Sequence, residues 1–502
     1  MLSHGIDPPS LPFSLPNELL SEIFQTACLT SNARSTTLKA ISHVCHLWRH
    51  VALGYSELWI QADYEHDHPE WVSAQLHRAA NMPVVVQAHF PMAARSTRGL
   101  RNLRLALKDA TIRALDLQAS PEILDQVWTD LDAASLRTLS LFIPWPDMPK
   151  IAPYPGPVFQ LNTPHLRHLS LSNFVVSWDS SLFTKLTHLR LHLQDQAFAP
   201  SMTQILGMLS SSPMLAELIL LHVIESSSRL PHPDSVSVVP LPHVAALLLD
   251  SDLLNHIFLL RHIDVPPHCS LSLKAEHRTE KIGLITELGH SISQSLSLAQ
   301  VEKVCVETDP SGFTVRGYAA ACPANPRIHI ALRYSEMDLA VAGTLLCSLP
   351  LIATAVLELS FRGPHSAATH VETWRMFFQN LGTVEVLQVK PTTPRNLLSA
   401  LAACEGRSLL LPRLQSLEIH DPDVVDPTSS PEINRKKPRQ LGNWWQRAQV
   451  ANITFFDSLL TCVKSRQKLD AEIGSLRLGR CPHFSGQQLD SLKVAVKDVS
   501  WC

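Results

Sequence analysis

Leu166-Arg167-His168-Leu169-Ser170-Leu171 is the stretch on which the fold turns. Three leucines fall at the spacing apolar-x-x-apolar-x-apolar, and the last two flank a single polar residue, the period-two alternation of a strand with one buried face. The pattern recurs on both sides. It reads Ile112/Leu115/Leu117 and Leu136/Leu139/Leu141 upstream, then Leu186/Leu189/Leu191, Leu215/Leu218/Leu220, Val244/Leu247/Leu249 and Val301/Val304/Val306 downstream. Val384/Leu387/Val389, Leu414/Leu417/Ile419 and Ile473/Leu476/Leu478 extend it towards the C-terminus, with looser copies ending at Leu271/Leu273, Ile328/Ile330 and Leu357/Leu359.

Between middle residues 115, 139, 169, 189, 218 and 247 the steps are 24, 30, 20, 29 and 29 residues, which overlap and slightly exceed the roughly 20–29 residues of leucine-rich repeats. Helix-like segments lie between copies, at Met202 to Leu209, Trp374 to Leu381 and Arg395 to Ala403. One strand and one helix cannot cover their own apolar faces, so stacked neighbours must supply the core. The expected class is α/β: an irregular leucine-rich-repeat solenoid of parallel strands with helices on the convex side. An ordinary doubly wound sheet would have longer buried strands and a glycine-rich first turn, and neither is visible. The array is divergent, for the asparagine that usually follows the strand is absent or displaced, as at Asn173, one position early.

The chain has 502 residues, 45% of them hydrophobic and 17% charged, enough apolar surface to exclude global disorder. Forty-two basic and 45 acidic side chains give a net charge of −3, which supplies no field to draw the protein onto nucleic acid or anionic lipid. No two of the ten cysteines lie within four residues of each other, so CxxC redox and zinc-ribbon readings fall away. The first twenty residues lack a basic, apolar-cored leader, which places the expected location in cytoplasm, nucleus or both. Leu339 to Leu357 carries no charge over 19 residues, but Pro350 interrupts it and its form copies Met208 to Leu221, a short helix, a proline and a strand. No membrane partner is expected.

Residues 15 to 59 differ from everything after them. Pro16 and Glu18 suit a helix first turn; Leu19, Leu20, Ile23, Phe24 and Ala27 then share one face. A second helix is predicted over Leu38 to Leu53, with Ile41, Val44, Cys45, Leu47, Trp48, Val51 and Ala52 covering more than one side. A short helix apolar on two sides needs two surfaces to bury against, its own small domain and a partner.

Leu15-Pro16-Asn17-Glu18-Leu19-Leu20, Ile23-Phe24, Val44-Cys45-His46-Leu47-Trp48-Arg49 and Leu58-Trp59 together resemble the F-box. Glu70-Trp71 through Val84-Val85-Val86 resembles the helix and first strand found after it in many fungal F-box proteins. The resemblance implies a non-catalytic substrate receptor of an SCF-type ubiquitin ligase, its F-box gripping a Skp-type adaptor and through it a cullin, its repeats holding an unknown target protein. Carried over by position, the adaptor contacts are Leu15, Pro16, Leu19, Ile23, Phe24, Val44, Cys45, Trp48 and Arg49, with Trp48 the hot spot. The alternative is a repeat scaffold that binds the adaptor without a cullin. The implied organisation is a disordered 1–12, the F-box at 13–60, a linker helix and first strand at 61–100, the array at 101–420, an inserted loop at 421–447, and a final helix, repeat and cap at 448–502.

The standard phosphate, dinucleotide, zincin and serine-hydrolase motifs are all missing, so no catalytic residue and no cofactor is expected. His43, His46 and His50, at i, i+3 and i+7, could share one helical face as metal ligands, but no fourth ligand is evident and no metal is expected. Arg435-Lys436-Lys437-Pro438-Arg439 fits a nuclear address or, more simply, a wet loop tip. In a stacked array the polar residue between the last two apolar positions faces outward. That row starts with Arg167, His168, His188 and Arg190 nearby, the expected substrate-binding residues, and continues with Glu302, Glu307, Glu358 and Glu418, suggesting a basic-to-acidic gradient.

Overall fold

The computed structural model describes residues 15–501 apart from 32–33, 62–63, 65–66, 91–96, 129–130, 145–161, 175–176, 197–198, 225–229, 231–235, 278–281, 310, 335–338, 362–370, 391–394, 403–408, 421–441 and 480–484. The expected N-terminal tail at 1–12, the basic run at 435–439 and most of the 421–447 loop lie outside the described residues. The chain divides into two compact units, residues 1–200 with 207–215, and 201–206 with 216–502.

The first unit begins with three short helices, α1 (Asn17–Thr30), α2 (Arg34–Val44) and α3 (His46–Gly54). The predicted single helix over Leu38 to Leu53 is two. Cys45 is extended, with φ −157 and ψ 174, and its Sγ accepts the Trp48 amide at 3.4 Å as a cap for α3. Because the helix breaks there, His43 stands on α2 while His46 and His50 stand on α3, and the shared histidine face does not form. A helix α4 (Pro69–Ala79) and strand β1 (Val84–His89) come next.

Polar contacts suture these helices together and to the segment after them. Asp67, almost buried, accepts from Ser35 at 2.5 Å and Lys39 at 3.1 Å, and the Trp59 indole donates to Ala52 O at 2.7 Å. Helices α5 (Thr97–Asp109) and α6 (Pro121–Trp128) lie before and after strand β2 (Ile112–Gln118). Strands β3 (Thr138–Phe142), β4 (His168–Ser172) and β5 (His188–His192) complete a parallel run β1-β2-β3-β4-β5. In register, Leu115, Leu139, Leu169 and Leu189 form one buried row and Leu117, Leu141, Leu171 and Leu191 the next. The quoted hexad is thus one rung of a ladder, and its neighbours supply the cover that a single repeat lacks.

Asn173 closes that rung. It is buried with φ 59; its side-chain amide donates to Ile143 O at 3.0 Å, and its Oδ1 accepts the Gln194 amide at 3.2 Å. The displaced position therefore still ties three successive repeats, and asparagine tolerates the left-handed backbone better than most residues. His222 takes the equivalent turn in the second unit at φ 55. Asn173→Ala is expected to lower the unfolding free energy by about 2 kcal/mol, since it strands a buried carbonyl and puts alanine in the left-handed region; urea titration of wild type and variant measures it.

The second unit is also mixed α/β. Helix α7 (Met202–Ser210), whose residues are shared between the two units, is followed by strand β6 (Glu217–Leu221), a short β7 (Val239–Pro240) and β8 (Ala246–Asp250). Then come α8 (Leu253–His262), a short β9 (Ile263–Asp264), β10 (Ser270–His277), α9 (Ile282–Ser295), β11 (Val301–Asp309), β12 (Gly312–Ala319) and β13 (Ile328–Tyr334). The remainder is α10 (Leu339–Ser348), β14 (Val356–Phe361), α11 (Val371–Phe378), β15 (Val386–Lys390), α12 (Arg395–Leu401), β16 (Ser416–His420), α13 (Gly442–Gln467), β17 (Ser475–Gly479), α14 (Gly486–Ala495) and β18 (Asp498–Trp501). Helix α13 starts at Gly442, so residues 442–447 belong to it and not to the expected loop.

The strand order in this unit is β6-β8-β10-β13-β12-β11-β14-β15-β16-β17-β18. All pairs are parallel except β11 with β12 and β12 with β13, so the expectation of uniformly parallel strands fails at one place. Gly312, at φ 156, makes that insertion possible: a Cβ there would sit 2.1 Å from Leu332 O. Consecutive helices α8 to α14 pack on one another along one side. Gly343 of α10 lets the next helix approach, with the Phe377 backbone 3.2 Å from where a Cβ would stand. Leu339 to Leu357 is α10 and then β14, as its interrupted sequence predicts. Among the described residues no helix is long and apolar enough to cross a membrane.

Candidate functional site

Two kinds of surface stand out, an apolar face on the N-terminal helices and the open, polar face of the strands. On α1 the side chains of Leu20, Phe24 and Cys28 are buried, as are Leu38 and Ile41 of α2 and Val51 and Ala52 of α3, and α1 packs on both of the other helices. The same helices turn Leu15, Leu19, Ile23, Val44 and Leu47 outward, with Ile23 48% and Val44 58% exposed. Pro16, Cys45 and Arg49 are exposed too. Phe24 is the exception among the nine expected contacts. It is only 1% exposed and its ring packs on Trp48 with centroids 4.9 Å apart, so it holds the module together from inside. Trp48 is half-buried by that contact. Arg49 is held by its Nε, which donates to Ser42 O at 2.8 Å.

The open face of the first unit carries the expected substrate residues. His168 and His188 are register partners with rings 4.3 Å apart, edge to face, and Thr138 Oγ1 lies 3.2 Å from His168 Nδ1. Ser140, Ser170 and Arg190 form the next row. Arg167 sits apart from both rows, at the N-terminal mouth of β4. Its backbone carbonyl accepts from Thr187, its own amide donates to Arg137 O, and Arg137 in turn donates to Arg113 O. Three arginines therefore occupy one structural position in three successive repeats. Sequence reasoning singles out only Arg167; the signal for the other two is their place directly after the first apolar residue of each hexad, Ile112 and Leu136.

In the second unit the outward row, in register, is Ile219, Leu248, Ser272, His329, Arg316, Cys305, Glu358, Gln388, Glu418 and Arg477. Arg316 enters through the antiparallel β12 and is invisible to the repeat pattern, whereas His329 stands between Ile328 and Ile330 of a looser copy. Glu358 receives Lys303 at 2.7 Å and Lys390 at 3.4 Å; Arg316 pairs with Glu307 at 2.8 Å and Arg477 with Glu418 at 3.1 Å. Burial alone would push the Glu358 carboxyl up, but the hydrogen bond and charge of Lys303, with Lys390, more than reverse it and hold the group below the usual carboxylate range. Glu307, Glu358 and Glu418 are thus interleaved with cations, so three of the four carboxylates expected at the acidic end of the gradient are internally neutralised, and only Glu302 makes no ion pair among the described residues.

A hollow of about 480 Å³ lies beside Glu358, lined by Lys303, Cys305, Glu307, Arg316 and Tyr318 among others. Burial, reinforced by Glu358, pushes the Cys305 thiol up to about 11, so it stays protonated at neutral pH and is a poor nucleophile. Among the described residues no group of three histidine, cysteine or acidic side chains is arranged to hold a metal ion.

No family model matches the chain, and no curated protein does. Among solved structures, the leucine-rich repeat-containing protein LegL7 from Legionella pneumophila matches 70% of this chain and 95% of its own at 13% identity, with a TM-score of 0.27. Overlap at that score is slight. The leucine-rich-repeat character of this chain rests on its own ladders of parallel strands, buried leucine rows and flanking helices.

Proposed function

We propose that the protein is a non-catalytic receptor in which an F-box-like helical module docks a Skp-type adaptor and the repeats hold a second protein, for modification by an SCF-type ubiquitin ligase. The observation that carries the reading is the outward apolar face of α1 to α3. Leu15, Leu19, Ile23, Val44 and Leu47 are all exposed on a module whose own core is already filled by Leu20, Phe24 and Leu38. Exposed aliphatic side chains grouped on one small helical unit mark a protein-docking site, and four of the five, Leu15, Leu19, Ile23 and Val44, are positions that the motif gives as adaptor contacts. Catalysis forms no part of the reading, and cytoplasm or nucleus is where such a receptor would work.

Trp48→Ala would be an ambiguous test, since it also removes the ring that covers Phe24. Ile23→Asp combined with Val44→Asp is cleaner, because both side chains already face solvent and charges there cost little folding free energy. The double variant is expected to keep its thermal unfolding midpoint and to lose co-purification of the Skp-type adaptor by at least about tenfold. Retained adaptor would sink the docking assignment. Adaptor with cullin supports the ligase reading, whereas adaptor alone points to a scaffold.

A further inference from the structure

We propose that the edge of the first unit's sheet at which Arg113, Arg137 and Arg167 line up, at the N-terminal ends of β2, β3 and β4, is a docking strip for an acidic, extended peptide segment of a partner protein. The inference deepens the receptor reading of the repeats and is independent of the adaptor.

The geometry comes from the backbone ladder. Arg137 N donates to Arg113 O at 2.8 Å, Arg167 N to Arg137 O at 2.9 Å and Thr187 N to Arg167 O at 2.8 Å, which fixes the three arginines in line at the N-terminal ends of adjacent parallel strands, spaced by about 4.8 Å per strand. Arg113 and Arg137 are exposed and Arg167 half-exposed. Arg113 and Arg137 make no ion pair among the described residues, and the Arg167 guanidinium is steadied by Leu166 O at 2.7 Å rather than by a carboxylate. Arg190, exposed on the adjoining row, adds a fourth cation without an acidic partner among the described residues. The one carboxylate on the neighbouring row is Asp116, 4.0 Å from His89.

This is the opposite of the second unit, where Lys303, Lys390, Arg316 and Arg477 all meet carboxylates. Cations left uncompensated in a row attract a ligand that brings the missing charge. Guanidinium forks match carboxylates bidentately. Beside the arginines the open face presents Thr138, Ser140, Ser170 and Ser172, register neighbours able to hydrogen-bond a peptide main chain. Phe142 is the sole phenylalanine, tyrosine or tryptophan in those rows of β3 to β5, so the face lacks the succession of stacking platforms that single-stranded nucleic acid uses. An acidic peptide fits better than an oligonucleotide.

The test uses the full-length protein and a fluorescein-labelled octaglutamate, read by fluorescence anisotropy. Wild type is expected to bind it with an affinity that falls steeply as salt is raised. Each of Arg113→Ala, Arg137→Ala and Arg167→Ala is expected to weaken binding about fivefold, and charge reversal of all three to glutamate by more than about 100-fold. Lys303→Glu combined with Lys390→Glu, in the second unit, is expected to leave octaglutamate binding within about twofold. Equal loss in that control, no binding by wild type, or tighter binding of an octathymidine than of octaglutamate would each overturn the proposal. Adaptor co-purification by the triple variant is expected to stay intact, which separates failure here from failure of the docking module.

Discussion

Arg466→Met is expected to destabilise the second unit by about 3–5 kcal/mol, the cost of breaking a buried charged group's hydrogen bonds. Arg466 is fully buried on α13, yet among the described residues no carboxylate pairs with it. Its two terminal nitrogens bond to main chain instead: Nη1 donates to Leu410 O at 2.8 Å and to Leu401 O at 3.5 Å, and Nη2 to Leu411 O at 2.7 Å, while Nε has no partner among the described residues. Leu401 is the last residue of α12, where carbonyls have no partner inside the helix and the dipole is negative. Leu411 stands at φ 47, a left-handed conformation uncommon for leucine. One side chain therefore caps a helix and pins a strained turn immediately before β16. Burial pulls its pKa below the ordinary arginine range, but arginine remains charged at any working pH.

Methionine keeps the packing volume and leaves those carbonyls stranded. Arg466→Lys is expected to recover only about half of the loss, because an ammonium group cannot fork towards carbonyls on two separate segments. Since repeat arrays unfold in parts, the measurement is amide hydrogen exchange in 409–420 and 442–479, followed with increasing urea. A methionine variant whose exchange in those segments stays within about 1 kcal/mol of wild type would refute the capping role.

Arg466 also marks the limit of what the sequence discloses. The strand ladder is legible because each hexad writes its own register: once Leu169 and Leu171 are buried, Ser170 must face out, and stacking puts it beside Ser140 and Arg190. The outward row of the first unit is readable in order for the same reason. Illegible are the features created by distant segments. Nothing near Arg466 in sequence announces that the carbonyls of 401, 410 and 411 converge on it. Val304 and Val306 fit the hexad, but the pattern does not show that β12 is inserted antiparallel and brings Arg316 into the row.

At the N-terminus the apolar spacing locates the helices, while the break at Cys45 depends on a sulfur cap that no periodicity encodes. The motif position puts Phe24 outside, yet it lies inside, because Trp48 folds over it. The inside or outside choice for a two-sided helix is made by the third helix, not by its own sequence. The unneutralised arginines are hidden for a related reason. Charge complementarity is a property of neighbours, and only the ladder shows that Arg113 and Arg137 adjoin Arg167 while Lys303 and Lys390 adjoin Glu358.

His256→Leu is expected to stabilise the protein, and increasingly so as the pH falls. His256 lies in α8, where Leu253, Ile257, Leu259 and Leu260 are also buried, and it has no exposed surface. Neither ring nitrogen has a hydrogen-bond partner among the described residues. His262 on the same helix contrasts with it: its Nδ1 lies 2.7 Å from Phe258 O and its ring stacks on Phe258 at 4.1 Å. Burial alone pushes the His256 pKa from 6.5 down to about 3.

The folded protein therefore refuses a proton that the unfolded chain accepts. Above pH 6.5 both states are neutral and stability is unaffected by this group; below it, the unfolded state binds the extra proton and stability declines by about 1.4 kcal/mol per pH unit until the folded pKa near 3 is reached. At pH 5 the loss attributable to His256 is about 2 kcal/mol. Leucine, similar in volume, removes that loss and also relieves an unsatisfied buried imidazole, worth about 1–3 kcal/mol at any pH. Urea unfolding of the two proteins at about pH 7.5 and about pH 5 isolates the group, because every other histidine is common to both. The difference between variant and wild type should widen by about 2 kcal/mol on acidification; parallel pH profiles would mean that the folded protein does accommodate a charged imidazole at position 256.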